Sequence, residues 1–442
     1  MGKSIKANIL DSAILEMDKD VTKQIFHLMM YTTNLFDVEI FKKSTDQVIA
    51  LLPILKSALV AGYWRDHWIE KDDFTLSDIL KVEYIDDINF KEDAFDYYKN
   101  YPDKNVLPDE MPPIKILVIV GRKSGEKLVV FIIHHSLTAP PGASRLIRYF
   151  ADSYDAVLHN TTLKKQKNYR SLAGLMRAVG FKNIVYTVKK MMKKPEIQPI
   201  YQEICELDYD NEGIGTYGTC ERLEISQDIV KKISEKYKPY NLTVNDILMY
   251  VVAKVIYFYN EKLQNKSTHI FLSIGVALNK YLKKDIFSVS NLAGRDQVIM
   301  KYEDVNDINK FASEFHEFKA NPIGINFLIP FVSLAMLPIS KQKKIWKSKT
   351  KDNLLKWSNR SFSTTNIGKL DYFVKPFGKC VKQIEFMASY GYSGLPLISA
   401  SGYDGKITIF FSKYKDKDNL CIEVKNIFEY IIKNELAISE ED

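Results

Sequence analysis

A chain of 442 residues is too long for one ordinary hydrophobic core, which points to two domains or lobes. Hydrophobic residues at 46% and charged residues at 26%, with 26 Tyr, 24 Phe and 4 Trp, exclude a disordered, fibrous or low-complexity chain. The formal charge of +7, from 62 Lys+Arg against 55 Asp+Glu, is mild; nucleic-acid binding usually needs a concentrated basic face, whereas this balance suits a phosphate-bearing or acidic partner.

Residues 1–20 hold no continuous apolar stretch, so no signal peptide is expected. Residues 24–33 (QIFHLMMYTT) read as a strand. Residues 38–61 read as an amphipathic helix in which Val48, Leu51, Leu52, Leu55 and Leu59 recur at the helical period, kinked or split at Pro53. The GYWRDHW cluster at 62–68 reads as a core-and-turn element rather than a substrate site. Two β-branched runs, 114–121 and 127–133, flank the polar, Gly-containing stretch 122–126, which predicts a hairpin ending at His134-His135. Beyond a Pro-Pro-Gly turn, 143–159 is again helical, with Ile147, Phe150, Tyr154 and Val157 on one face. Residues 161–200 are Lys- and Met-rich with little patterning, include the run Lys189, Lys190, Lys193, Lys194, and read as the crossover between lobes.

The second half restarts with a strand at 220–225 and a helix at 226–237. Thr243, three residues before Asp246, signals a helix cap ahead of a run with Leu248, Val252, Val255 and Tyr259 on one face. Strands are expected at 269–276, 287–289, 362–365, 398–401 and 406–414, and a closing helix at 426–432 before an acidic tail. Residues 323–339 are mostly apolar and precede Lys341, Lys343, Lys344, Lys347, Lys349 and Lys351. They fall short of the roughly 20 residues a span needs and are interrupted by Gly324, Pro330 and Pro338, so they read as a buried or groove-lining helix pair, not a transmembrane span. Strands and helices mix evenly in both halves. The expected fold class is therefore α/β, with an N-terminal lobe over residues 1–175 and a C-terminal lobe over 176–442. The cysteines, Cys205, Cys220, Cys380 and Cys421, form no CxxC pair and have no histidines at metal-ligand spacing; a reduced, cytoplasmic setting without a metal is expected.

The sharpest chemical feature is HHSLTAPPGA at 134–143. Successive side chains of a strand face opposite ways, so one imidazole can face a cavity while the other packs inward. A cavity-facing histidine, titrating near neutrality, can take a proton from an attacking hydroxyl or amine. An isolated pair would more often be two core-edge histidines held by hydrogen bonds. Asn291 in SVSNLAGRDQV, and Asn366 with Thr364 or Thr365 in FSTTNIGKL, are polar groups suited to stabilising a developing oxyanion or positioning a substrate. The same SN and TN pairs also suit turns at strand ends. Gly294 and Gly368 suit tight backbone geometry.

HHSLTAPPGA resembles the HHxxxDG motif of the CoA-dependent acyltransferase superfamily: chloramphenicol acetyltransferases, plant acyltransferases, alcohol acetyltransferases and the condensation domains of nonribosomal peptide synthetases. Further landmarks follow in that superfamily's order. FHLMMYTTNLFD with ALLPILKSALVAGYW looks like its opening strand and helix, LTVNDILMYVVAKVIY like the helix opening its second half, and SVSNLAGRDQV and FSTTNIGKL like its later active-site segments. The resemblance implies two chloramphenicol-acetyltransferase-like lobes with a central substrate tunnel. A thioester donor on a phosphopantetheine arm, acyl-CoA or an acyl or peptidyl carrier protein, would reach it from one face, and a small-molecule amine or alcohol from the other. It implies His135 as general base with His134 beside it, no bound cofactor, and no covalent acyl-enzyme. The motif's Asp falls on Ala139 and its Gly on Pro140, while Gly142 and Ala143 look like the common continuation. In the family that Asp pairs with an arginine that fixes the loop behind the histidines. Arg295 is the candidate for the orphaned arginine, with Asp296 beside it as partial compensation. The implied activity is condensation-type amide or ester formation. The alternative, supported by Ala139 and Pro140, is a catalytically degraded relative that binds a carrier protein or scaffolds an assembly.

Overall fold

The computed structural model describes residues 4–20, 23–192, 218–264, 268–283, 286–357, 362–389, 395–414, 416 and 419–436. Cys205, Lys193, Lys194 and the acidic tail lie outside them.

The chain opens with β1 (Ser4–Lys6), α1 (Ile9–Asp20) and β2 (Ile25–Thr32), whose eight residues are all buried. α2 (Val38–Leu51) is capped by Asp37, whose carboxylate accepts the N–H groups of Glu39 and Ile40. The apolar period continues past Pro53, but not as a helix. Pro53–Lys56 is a 3-10 turn, and β3 (Ser57–Val60) follows, paired with β4 (His67–Glu70). Proline has no N–H for the helix ladder, so Leu55 and Leu59 reach the core from a turn and a strand instead. Trp68 on β4 is fully buried. α3 (Leu76–Ile79), β5 (Leu80–Ile85) and α4 (Phe90–Lys99) lead to the hairpin of β6 (Ile114–Gly121) and β7 (Lys127–His134), turned at Gly125 with φ 67°. α5 (Pro140–Leu158) begins at the Pro-Pro pair rather than after it, because the first helical positions need no N–H. The stretch read as an unpatterned crossover holds α6 (Leu172–Val179) and α7 (Phe181–Met192).

After β8 (Thr219–Ile225) and α8 (Gln227–Lys236), α9 (Val244–Lys262) starts at the Thr243/Asp246 capping box, with both hydrogen bonds formed. β9 (His269–Ala277) pairs with β10 (Ala293–Lys301). Residues 287–289, expected as a strand, join no sheet; their backbone bonds instead to Asn168, Tyr169 and Arg170. α10 (Ile308–Ala320), α11 (Ile325–Leu334) and α12 (Ile339–Trp357) follow. The apolar stretch 323–339, expected as a helix pair, holds the single helix α11, of which only Ile325 and Leu328 are buried; α12 starts at its last residue and runs on through the basic segment. Among the described residues no helix is long and apolar enough to cross a membrane. The last elements are β11 (Ser363–Lys369), α13 (Asp371–Val374), β12 (Val381–Met387), β13 (Leu397–Tyr403), β14 (Lys406–Lys413) and α14 (Leu420–Tyr430). The closing helix therefore begins six residues before the expected 426, at Leu420.

These elements form an α/β fold built on two principal sheets. One has the order β12-β2-β7-β6-β5 and the other β10-β9-β11-β13-β14-β8; β1-β4-β3 make a small third sheet. β12, from the C-terminal half, lies antiparallel beside β2. Alternation along β2 splits its side chains between two cores. Phe26, Leu28 and Met30 pack with Phe41 of α2 and Phe150 of α5; Ile25, Met29 and Tyr31 pack with Phe95 of α4 and with Cys220 and Phe410 of the second sheet. α9 is buried along most of its length against that second sheet. β7 runs between β2 and β6 and delivers the histidine pair to its own end.

Candidate active site

His134 closes β7 opposite Ile25, and the His135 N–H extends the pairing by donating to the Gln24 carbonyl at 2.7 Å. The two rings then part. His134 is fully buried. Its Nδ1 accepts the Ser136 backbone N–H at 3.1 Å and lies 2.7 Å from the Ser136 hydroxyl, so the ring proton belongs on Nε2. That nitrogen lies 3.4 Å from Oδ1 of Asp18, a distance and angle short of a firm hydrogen bond. Burial alone would raise the Asp18 carboxyl, but His134, the Gln24 N–H and Lys23 together hold it below its usual value.

His135 is half-buried, edge-on to Phe26 with ring centroids 5.6 Å apart. Burial lowers its pKa to about 4, helped by neighbouring His134; its own carbonyl and the Asn291 side chain pull the other way. Nδ1 has no hydrogen-bond partner among the described residues. The ring is therefore neutral at physiological pH, the form that accepts a proton.

The loop after the histidines is held by backbone rather than by a motif carboxylate. Ala139 is buried at the N-cap of α5 with no side-chain cap, and its N–H donates to the Ser290 carbonyl at 3.2 Å. Thr138 Oγ1 donates to that same carbonyl at 3.2 Å. The segment carrying Ser290 continues into Asn291, only 2% exposed, whose side chain acts on the His135 ring. Among the polar candidates, Asn291 is the one placed at the His135 ring. Thr364 turns inward, its Oγ1 donating to the Ser273 carbonyl at 2.9 Å, while Thr365 faces the opposite side, toward Gly275. Asn366 donates to Asn245 of α9 at 3.1 Å and accepts the Gly368 N–H at 2.8 Å, where the pairing of β11 with β13 shifts register.

Arg295 is not behind the histidine loop. It projects from β10 to the hydroxyls of Ser273 and Ser363, the latter at 2.8 Å, and Asp296 bonds Asn326 and the Gly324 N–H. The cation at the loop is Arg170, which donates to the Leu137 carbonyl at 2.7 Å, to the Val289 carbonyl, and to Asp11 at 2.8 Å. Sequence reasoning missed both residues, because nothing local marks an arginine whose carboxylate partner lies 159 positions away. A separate cleft of about 390 Å³, lined by residues including Tyr31, Asp87, Lys91, Lys382 and Gln383, includes neither histidine.

No known family's sequence profile matches the chain, and no curated protein matches it by sequence. Solved structures do match in fold. The first condensation domain of the CDA synthetase superposes with a TM-score of 0.67 at 11% identity, over 98% of this chain and 97% of that one. The epimerization domain from the third module of tyrocidine synthetase B gives 0.64 at 12%, over 99% of both chains. The trichothecene 15-O-acetyltransferase of Fusarium sporotrichioides gives 0.64 at 9%, over 97% of this chain and 95% of that one. The chain thus shares the fold of these condensation, epimerization and acetyltransferase structures across almost its whole length.

Proposed function

We propose that this protein transfers an acyl group from a thioester, acyl-CoA or a phosphopantetheinyl carrier protein, to a small-molecule amine or alcohol, with His135 as general base. The observation that carries this reading is the state of His135: a half-buried, neutral imidazole, its Nδ1 without a partner among the described residues, at the end of a central strand in this fold. In the neutral ring one nitrogen carries no proton and serves as the acceptor. As the substrate's nitrogen or oxygen attacks the thioester carbonyl carbon, that ring nitrogen takes its proton. The tetrahedral intermediate then collapses, the C–S bond breaks, and the imidazolium returns the proton to the departing sulfur. Products are the amide or ester and a free thiol, with the imidazole neutral again. Asn291, against the ring, is suited to donate to the oxyanion, and holding both reactants at one ring supplies much of the acceleration. A donor on a phosphopantetheine arm fits a cytoplasmic setting in which Cys220, Cys380 and Cys421 stay as free thiols.

The test is thiol release from a panel of acyl-CoAs and acyl carrier proteins, each with amine and alcohol acceptors. His135→Ala should lower the rate by about 100- to 10,000-fold while the melt stays cooperative. A folded variant with wild-type turnover removes the assignment. The second reading, a carrier-binding protein without turnover, is favoured by Ala139 in place of the motif's carboxylate. Carrier-protein binding with no thiol release in any pairing would select it.

A further inference from the structure

The loop presenting His135 lacks a carboxylate at position 139, yet an arginine holds it from elsewhere in the chain. The Arg170 side chain is only 7% exposed. One guanidinium nitrogen donates to the carbonyls of Leu137 and Val289, and the other to the fully buried Asp11 at 2.8 Å. Asp11 also accepts the Trp68 indole N–H at 3.0 Å and the Asn8 N–H at 3.0 Å, and the guanidinium lies 5.8 Å from the Trp68 ring centroid. The two carbonyls belong to the two segments that meet at the base. Leu137 follows His135 by two residues, and Val289 precedes Asn291 by two. A planar guanidinium can bridge acceptors on three separate segments in fixed directions, which a lysine's point charge on a flexible stem cannot.

We propose that Arg170, with Asp11 as its counter-charge, is the positioning residue of the acyl-transfer site and fixes the histidine loop against the Asn291 segment. The anion that the motif would place in the loop has moved to α1, and the cation contacts loop carbonyls instead of a loop carboxylate. The pair is buried, so removing either member leaves the other costly rather than merely idle. This assignment rests on the reading of His135 as the base.

The test reads His135 itself. Diethyl pyrocarbonate acylates neutral imidazole, and its attachment to His135 can be followed by peptide mass spectrometry across pH on the whole chain, with no substrate. In Arg170→Lys a loosened loop admits water to the ring, so the labelling midpoint should rise by about one pH unit from the wild-type value. Trp68→Phe, which removes the indole N–H to Asp11 together with part of the ring beside Arg170, should shift it the same way by less. Val252→Ala, buried in the other core, should lower stability and leave the midpoint unchanged. Should Arg170→Lys fail to fold, Trp68→Phe and Asp11→Asn decide. An unchanged midpoint in the folded variants overturns the proposal. Labelling needs no turnover, so a wild-type protein that transfers no acyl group would remove the functional reading and leave this result standing.

Discussion

Asp18 makes the two adjacent histidines unequal. It sits fully buried near the end of α1, with one oxygen accepting the Gln24 N–H at 2.6 Å and facing His134, and the other 3.1 Å from Lys23. His134 therefore lies electrostatically against a buried carboxylate that cannot be solvated, and its Nδ1 also satisfies the Ser136 N–H. Truncating it removes the ring that helps hold a buried carboxylate charged, orphans a buried N–H and leaves a cavity, which together cost about 3 kcal/mol. His135 has no such obligations, and removing its unpartnered Nδ1 relieves a buried polar atom. His134→Ala should accordingly lower the denaturation free energy well below that of His135→Ala, measured by urea titration. Equal losses, with His134 the residue essential to turnover, would exchange their roles. The opposite facing of the two rings was legible from strand alternation alone. Asp18 was not, since a carboxylate in a different helix leaves no trace in the HHSLTA string.

At the level of elements, the junction from β7 into α5 shows both what local sequence reveals and what it hides. The hairpin, its end at the histidines and the capping box of α9 all rest on neighbours within a few residues, and these formed where the pattern put them. Pro140 and Pro141 misled because proline reads as a turn unless it falls at a helix start, and only the fold determines which. Residues 287–289 misled in the opposite way. They are β-like in composition, yet their hydrogen-bond partners are Asn168, Tyr169 and Arg170 of the crossover rather than a sheet. Gly142 lies where these pieces touch. A Cβ there would stand 2.1 Å from Thr138 Oγ1 and 3.0 Å from the Ser288 carbonyl. Alanine in the first turn of α5 would gain at most about 1 kcal/mol of helix propensity. Forcing backbone apart in a packed interior costs about 1–3 kcal/mol, so sterics win. Gly142→Ala should destabilise the protein and slow acyl transfer, because the atoms it displaces hold the loop behind His135. A variant more stable than wild type would show that Thr138 rotates away freely and that the junction is looser than its contacts suggest.

For the whole molecule, the informative feature is how the two principal sheets meet. β12 joins the first sheet from the far end of the chain, and no periodicity in 381–387 announces which sheet it will choose; that is why a single cut into residues 1–175 and 176–442 was all the sequence offered. Facing β12 across the seam are β13 and β14 of the second sheet, with Ser401 and Ser399 of β13 accepting the N–H groups of Phe386 and Ala388, and β8 reaches it through the Arg222 and Glu224 side chains. Glu385 is buried in that seam, with Gln383 donating to it at 2.7 Å and Arg222 of β8 lying 3.6 Å away. Arg222 also donates to both oxygens of Glu92 on α4 at 2.9 Å, so it is shared, and one Glu385 oxygen has no partner among the described residues. Burial raises the Glu385 pKa from 4.5 to about 7, against the pull of Arg222 and Lys91 and with some help from Glu224 and Glu92. The folded state then holds a proton that the unfolded state releases above pH 4.5. Glu385 thus stabilises least above about pH 7, and its contribution falls as pH rises through that window. At 1.36 kcal/mol per pKa unit the loss is about 3 kcal/mol. His27 and His135 act oppositely. Burial lowers their folded pKa values to about 3 and about 4, so the stability they contribute is complete above 6.5 and is lost on acidification. In the wild type the two trends partly cancel between about pH 4.5 and 6.5. Glu385→Gln removes one of them while keeping the shape and a hydrogen-bonding group. Urea denaturation of both proteins from pH 4.5 to 8 should show the variant's relative stability climbing with pH, by about 3 kcal/mol across the range, with a steeper acid limb in the variant. A difference that stays flat with pH would mean that Arg222 keeps Glu385 charged throughout, and that the sheets meet across an ion pair rather than a protonated acid.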